Sequence, residues 1–188
     1  MAETVTNVSA GKPAVGGAVY RAPLGTTLPT DATTALGNAF TSLGFCSDDG
    51  LTNASNIENE SQKAWGGAVV LKTQTGREDT FSFKLIEGLN VDVLKAVYGD
   101  DNVTGSLAAG ITVQVNDDEP EESVWVVDMI TRNDTLKRIV IPDGKLTSLE
   151  DITYSDSEAF GYGCEITALP DSDGNTHYEY IAKGDDES

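Results

Sequence analysis

The chain has 188 residues and a formal net charge of −19, from 12 basic against 31 acidic side chains. That balance argues against nucleic-acid binding by phosphate neutralisation, which needs clustered Lys and Arg, and against anionic membrane surfaces. Hydrophobic residues make up 39% and aromatics 7%, enough for one domain core with stretches left over as arms that gain order only against another surface.

Met1 to Lys12 is small and polar and reads as a flexible arm, without the basic region and apolar core of a secretion signal. No run reaches the roughly 18 apolar residues of a membrane-spanning helix, so synthesis in a cytosol is expected. Pro13 to Pro29 is rich in Gly, Pro, Thr and Ala, with an apolar patch at Ala18-Val19-Tyr20. Such a stretch needs a surface to lie on. Leu36, Phe40 and Leu43 fall at i, i+4 and i+7 and predict a short helix within Asp31 to Leu43, weakened by Gly37. A short strand is expected at Gly44-Phe45-Cys46. Ser47 to Lys63 is polar, without apolar periodicity, and reads as a long loop of the functional kind.

Two strands are then expected, Ala64 to Lys72 and Glu78 to Leu85. In the second, Phe81, Phe83 and Leu85 must face the core, leaving Glu78, Thr80, Ser82 and Lys84 on the opposite side. Val91 to Tyr98 is the one clear helix. Asn90 supplies the N-cap, Asp92 suits the helix dipole, and Gly99 fits the positive φ beyond the C-terminus. A glycine-punctuated loop to Gly105 follows. Ile111 to Val115 alternates as a strand, Asn116 to Glu122 is an acidic turn, and Ser123 to Ile130 is a strand apolar on both faces. Thr131 to Thr135 supplies a hairpin turn before Leu136 to Ile141, and Pro142-Asp143-Gly144 is expected to break the chain. Glu158 to Thr167 alternates, with Phe160, Tyr162, Cys164 and Ile166 on one side. Asp171 to Asn175 is a turn, Thr176 to Ala182 a last strand, and Gly184 to Ser188 an acidic tail. Eight or so short strands against one helix predict a mainly β fold, a sandwich or barrel with one flanking helix.

The residues do not spell out catalysis. Asp171-Ser172-Asp173-Gly174-Asn175 starts like a calcium loop, but Thr176 stands where that loop wants Gly and Ala182 where it wants Glu. Cys46 and Cys164 share no CxxC spacing and read as reduced, packed thiols. His177 is the one histidine, in a strand context. Phosphate-binding glycine loops and GxSxG are absent. No enzyme, no cofactor and no metal is expected. Trp65 and Trp125 read as core or interface packing, because neither sits among basic residues.

Several pieces of wording resemble the major tail proteins, or tail tube proteins, of phages with long non-contractile tails. They are Val19 to Thr26, Leu43 to Gly50, Lys63 to Gly67, Glu78 to Phe81, Leu89 to Leu94 with Tyr98-Gly99, and Pro170-Asp171 to Tyr180-Ile181. The order and spacing of these pieces cover nearly the whole chain. The resemblance implies a single tail tube domain over residues 1–188, without the C-terminal immunoglobulin-like domain that many such proteins add. It implies a homo-oligomer: hexameric rings, stacked into a tube in the virion tail, with the sheets of six subunits joined in one inner barrel. Phage DNA would pass without tight binding, and six subunits would bring about −114 charges to each ring. Tape measure and tail terminator or tip proteins are the implied partners.

Arms and loops bridge the rings in that family. Here the expected bridges are the arm with Thr4, Val5, Val8 and Val15, the Ser47–Lys63 loop with Asp48, Asp49, Glu58 and Glu60, and the adjacent Trp65. Glu78, Thr80, Ser82 and Lys84 are the expected lumen-facing residues. The alternative reading is a tail-tip β-domain that binds a host receptor or glycan through the same loop and Trp65.

Overall fold

A computed structural model of the chain describes residues 8–14, 17–131 and 134–184. Among them are eleven strands and one helix: β1 (Gly11–Pro13), β2 (Val19–Pro23), β3 (Thr41–Ser42), β4 (Cys46–Lys63), β5 (Val69–Leu85), α1 (Val91–Tyr98), β6 (Val103–Ser106), β7 (Gly110–Val113), β8 (Ser123–Thr131), β9 (Thr135–Leu149), β10 (Tyr162–Ala168) and β11 (Tyr178–Lys183). The main sheet runs β3-β2-β8-β9-β10-β5-β4, with β1 on β8 and β11 on β9, and its pairings are antiparallel.

Strand β9 joins the two halves of this sheet. Thr135–Val140 pairs with β11, and Gly144–Leu149 pairs with β10. The expected break at Pro142-Asp143-Gly144 does not end the strand. Pro142, which has no N–H to give, sits in the register shift between Ile141 and Gly144, where the ladder with β8 asks for none. Side chains of both halves meet in one core: Trp125, Val127, Ile139 and Ile141 from one, Phe81, Phe83, Leu85 and Ile166 from the other. Phe83 and Trp125 touch across it, ring centroids 6.0 Å apart. Helix α1 adds Val93, Leu94, Ala96 and Val97. It is capped as its sequence predicts: Asn90 accepts the Asp92 amide at 3.0 Å, and Gly99, at φ 96°, donates its amide to the Lys95 carbonyl. Eight residues would not hold a helix in water, so this buried face does.

The reverse face of β8 and β9 is also apolar, with Val124, Val126 and Val140 buried. The segment between β2 and β3 lies over it. Arg138 is the tie. Its guanidinium pairs with Asp128 at 2.7 and 2.8 Å and donates to the carbonyls of Asp31 and Thr34 at 3.0 and 2.8 Å. The helix predicted within Asp31–Leu43 does not form. The Asp31 carboxylate takes the Thr33 and Thr34 amides in a turn, and the carbonyls of Asp31 and Thr34 turn inward to Arg138 instead of along a helix.

The largest departure from the sequence reading lies at residues 46–85. The predicted polar loop Ser47–Lys63 is strand β4, and no separate strand forms at Gly44–Cys46. The two predicted strands Ala64–Lys72 and Glu78–Leu85 are one continuous strand, β5, and Ala64–Ala68 is the turn that joins it to β4. Outside the buried 79–85 stretch, pairing along the hairpin and not burial makes these residues strands, so no apolar period marks them. The loop predicted after α1 is partly the β6–β7 hairpin, and β10 starts at Tyr162, not Glu158.

Candidate assembly surfaces

Strand β10 pairs with β5 only from Asp79 to Leu85. Beyond Asp79, residues 69–78 of β5 run with β4 alone as a two-stranded ribbon. At about 3.3 Å per residue this ribbon reaches about 30 Å past the three-stranded part of the sheet. Both of its faces are exposed. Its turn is closed by Gly67 donating to the Ala64 carbonyl at 2.9 Å and Ala64 to that of Ala68 at 2.8 Å, and Gly66 and Gly67 supply φ of 106° and 92°. Trp65 stands fully exposed on this turn, with Val69, Val70 and Leu71 each more than half exposed beside it. A lone two-stranded ribbon is marginally stable in water, and these four exposed apolar side chains near one turn have no cover within the subunit.

The ribbon root is held by a group that the sequence reading missed. Asp79 points to the core side with Phe81 and is fully buried. Arg77 donates to it at 3.0 Å and Thr176 at 2.6 Å, and the His177 ring lies 3.9 Å away, edge-on to Phe81. Burial would push its carboxyl pKa up. Hydrogen bonds from Ser55, Thr176 and Arg77, with the Arg77 charge, outweigh that and hold it down at about 2. This network fastens the ribbon root to the 171–177 segment. That segment is a plain turn: the Asp171 carboxylate accepts the Asp173 and Asn175 amides, and Gly174 takes φ 82°. The signal was present as Arg-x-Asp at strand spacing, which puts both side chains on one face.

The residues expected at the inter-ring contacts are spread out. Asp48 and Asp49 sit at the base of β4, in a bulge closed by Ser47 Oγ on Asp49 at 2.7 Å. Glu58 and Glu60 lie along the ribbon, and Trp65 caps it. Val8 is 77% exposed. Thr4, Val5 and Val15 lie outside the described residues, as do Asn133 of the predicted Thr131–Thr135 turn and residues 185–188 of the acidic tail. Of the expected lumen residues, Thr80, Ser82 and Lys84 share the non-core face of β5, where Ser82 Oγ donates to Glu165 at 3.4 Å. Thr80 is only 7% exposed, and Glu78 lies just past the sheet in the ribbon. The outer edge of β4 has no partner strand among the described residues, and β3 ends the sheet on the other side. Open edges of this kind are templates for pairing with another chain. No trio of acidic, Cys or His side chains that could hold a metal is found among the described residues. None of their helices is long and apolar enough to cross a membrane.

Comparison with known proteins identifies a family for the chain. The cryo-EM structure of the anti-feeding prophage cap, a tube-terminating cap, aligns over 97% of this chain and 100% of its own, at 10% identity and a TM-score of 0.45. A likeness at that level carries no weight for fold or function. A comparison with curated proteins finds no significant match. The family described as phage tail tube protein matches residues 6–187, nearly the whole chain, and the chain belongs to that family.

Proposed function

We propose that this chain assembles with copies of itself into stacked hexameric rings that form the tube of a phage tail, through which DNA passes during ejection. The observation that carries the reading is the exposed β4–β5 ribbon with its apolar tip, an arm that has nothing to lie on within its own subunit. The open β4 edge supports joining sheets between subunits, which would close it. In this reading Asp48, Asp49, Glu58, Glu60, Trp65 and Val8 lie at contacts between subunits or rings. Ser82 and Lys84, with the neighbouring Glu78 and the more covered Thr80, line the lumen. The net charge of −19 per subunit lets DNA slide, not stick. Tape measure and terminator or tip proteins complete the tail, assembled in the host bacterial cytoplasm. The chain acts as a structural part and not as an enzyme.

A tail-tip domain that binds a receptor or glycan would set Trp65 against a sugar ring. Val69, Val70 and Leu71 beside it favour burial against protein instead. Negative-stain microscopy of concentrated protein, alone and with tail-initiation components, tests the reading. Rings or tubes are expected. Monomers under every condition would overturn it.

A further inference from the structure

A second apolar surface lies at the far end of β5 from the ribbon tip. Just past Leu85, the residues Ile86, Leu89, Leu107, Ala159 and Phe160, with Glu87 at the side, line an open groove of about 460 Å³. Leu89 and Leu107 are more than half exposed. Phe160 packs over Gly88, where a Cβ would have no room, and pairs with the exposed Tyr154 at 5.3 Å between ring centroids. Glu87 lines the groove, and the 150–161 segment that supplies Ala159 and Phe160 also carries Glu150, Asp151, Asp156 and Glu158 and neither Lys nor Arg. Glu87 is fixed in place by the Phe45 amide and the Asn90 side chain, both at 2.9 Å.

The ribbon tip has the opposite character. Residues 61–75 hold Lys63 and Lys72 and no carboxylate, in a chain with 31 acidic side chains. Both lysines are exposed and without an ion pair among the described residues. Trp65 and Val69 to Leu71 stand between them. Tip and groove therefore match in two independent ways, apolar against apolar and basic flank against acidic rim. They cannot meet within one chain. A continuous strand of 17 residues, about 55 Å long at strand rise, holds them apart.

We propose that the groove is the socket for the ribbon tip of a neighbouring copy of this chain, with Trp65 as the knob and Lys63 and Lys72 against the acidic rim. This rests on the reading of the chain as a tube subunit and names the contact that reading needs. Knob and socket lie at opposite ends of one strand, so the contact is head-to-tail. Each copy gives one tip and receives one, and the pattern repeats as long as copies are added.

Cross-linking tests it directly. Ala68→Cys on the tip and Ala159→Cys in the groove leave Trp65, Leu107 and Phe160 in place. Assembled protein carrying both changes, treated with a short bismaleimide, is expected to give a denaturing-gel ladder of dimers, trimers and higher species. With Cys46→Ser and Cys164→Ser as the background, either change alone gives none. Trp65→Ala and the pair Lys63→Glu/Lys72→Glu should fold as monomers and lower the assembled fraction at least about tenfold, one factor of ten being 1.4 kcal/mol. Adding Asp156→Lys/Glu158→Lys to the lysine reversal should restore assembly. Tubes without a ladder, or tubes indifferent to both sets of changes, overturn this contact and leave the tube reading intact. An unmodified chain that forms no ordered assembly overturns both.

Discussion

Strand β5 passes through two environments. From Asp79 to Leu85 it lies between β10 and β4, with Phe81, Phe83 and Leu85 in the core and Asp79 held by four partners. From Val69 to Glu78 it has one neighbour, and both of its faces meet solvent. The β4–β5 ladder continues from one half into the other, with register shifts at Glu58/Asn59 and Gln62/Lys63 in the outer half. What differs is the cover: apolar surface is buried in the inner half, and the outer half has no such cover within its own subunit. The inner half makes the subunit, and in the proposed assembly the outer half reaches its neighbours.

That contrast can be broken or sharpened by experiment. The largest effect expected is on assembly: joining Ile57 to Arg77 through Asn-Gly removes the ribbon and should abolish tubes while the monomer still unfolds cooperatively, as microscopy and circular dichroism would report. A ribbon-less chain that still forms tubes would end the distinction. Next comes Phe81→Ala in the inner half, expected to cost about 3–5 kcal/mol in denaturant unfolding. Asp79→Ala leaves Arg77 and Thr176 without their partner and should cost about 2–3 kcal/mol. Hydrogen exchange would show the loss concentrated at the ribbon root. Leu71→Ala in the outer half should change monomer stability by less than about 0.5 kcal/mol. Equal losses at Phe81 and Leu71 would mean that the ribbon is packed and not solvated.

Acid gives a milder probe of the same root. The Asp79 pKa is depressed in the folded state, so its contribution is fully present above the unfolded value of about 4. It is lost as the pH falls through the folded value of about 2. Amide protection near Ser55 and Glu78 should therefore fall between pH 4 and pH 2, ahead of protection in β8 and β9. Simultaneous loss in all strands would place the weak point elsewhere.

Half-buried and capped elements were legible in the sequence. Helix α1 was readable from Asn90, Asp92 and Gly99 because capping chemistry is local. The core face of β5 was readable because Phe81, Phe83 and Leu85 alternate with polar residues. Alternation is a record of one wet face and one dry face, however, and not of being a strand. Most of the 18 residues of β4 (Cys46–Lys63) are exposed, so its polar pattern reads as a loop. Trp65 was expected in a strand, yet the positive φ of Gly66 and Gly67 makes its place a turn. The Arg138 tie and the groove were invisible for another reason. Each gathers groups from segments far apart in sequence, and a single sequence carries no record of that meeting.

The groove is put together from three stretches: the end of β5, the turn between β6 and β7, and the segment before β10. The ribbon, by contrast, is a single hairpin between neighbouring strands. Local hairpins form within about 1–10 μs, while sheets built on distant pairings take milliseconds to seconds. Arg21 of β2 pairing with Trp125 of β8 is one such distant pairing. The groove therefore exists only when the whole domain has closed, while the ribbon needs only its own hairpin. Under the proposed contact, a copy could receive the next tip only once its three groove segments have closed together, so growth of a tube would wait for the slowest step of the fold.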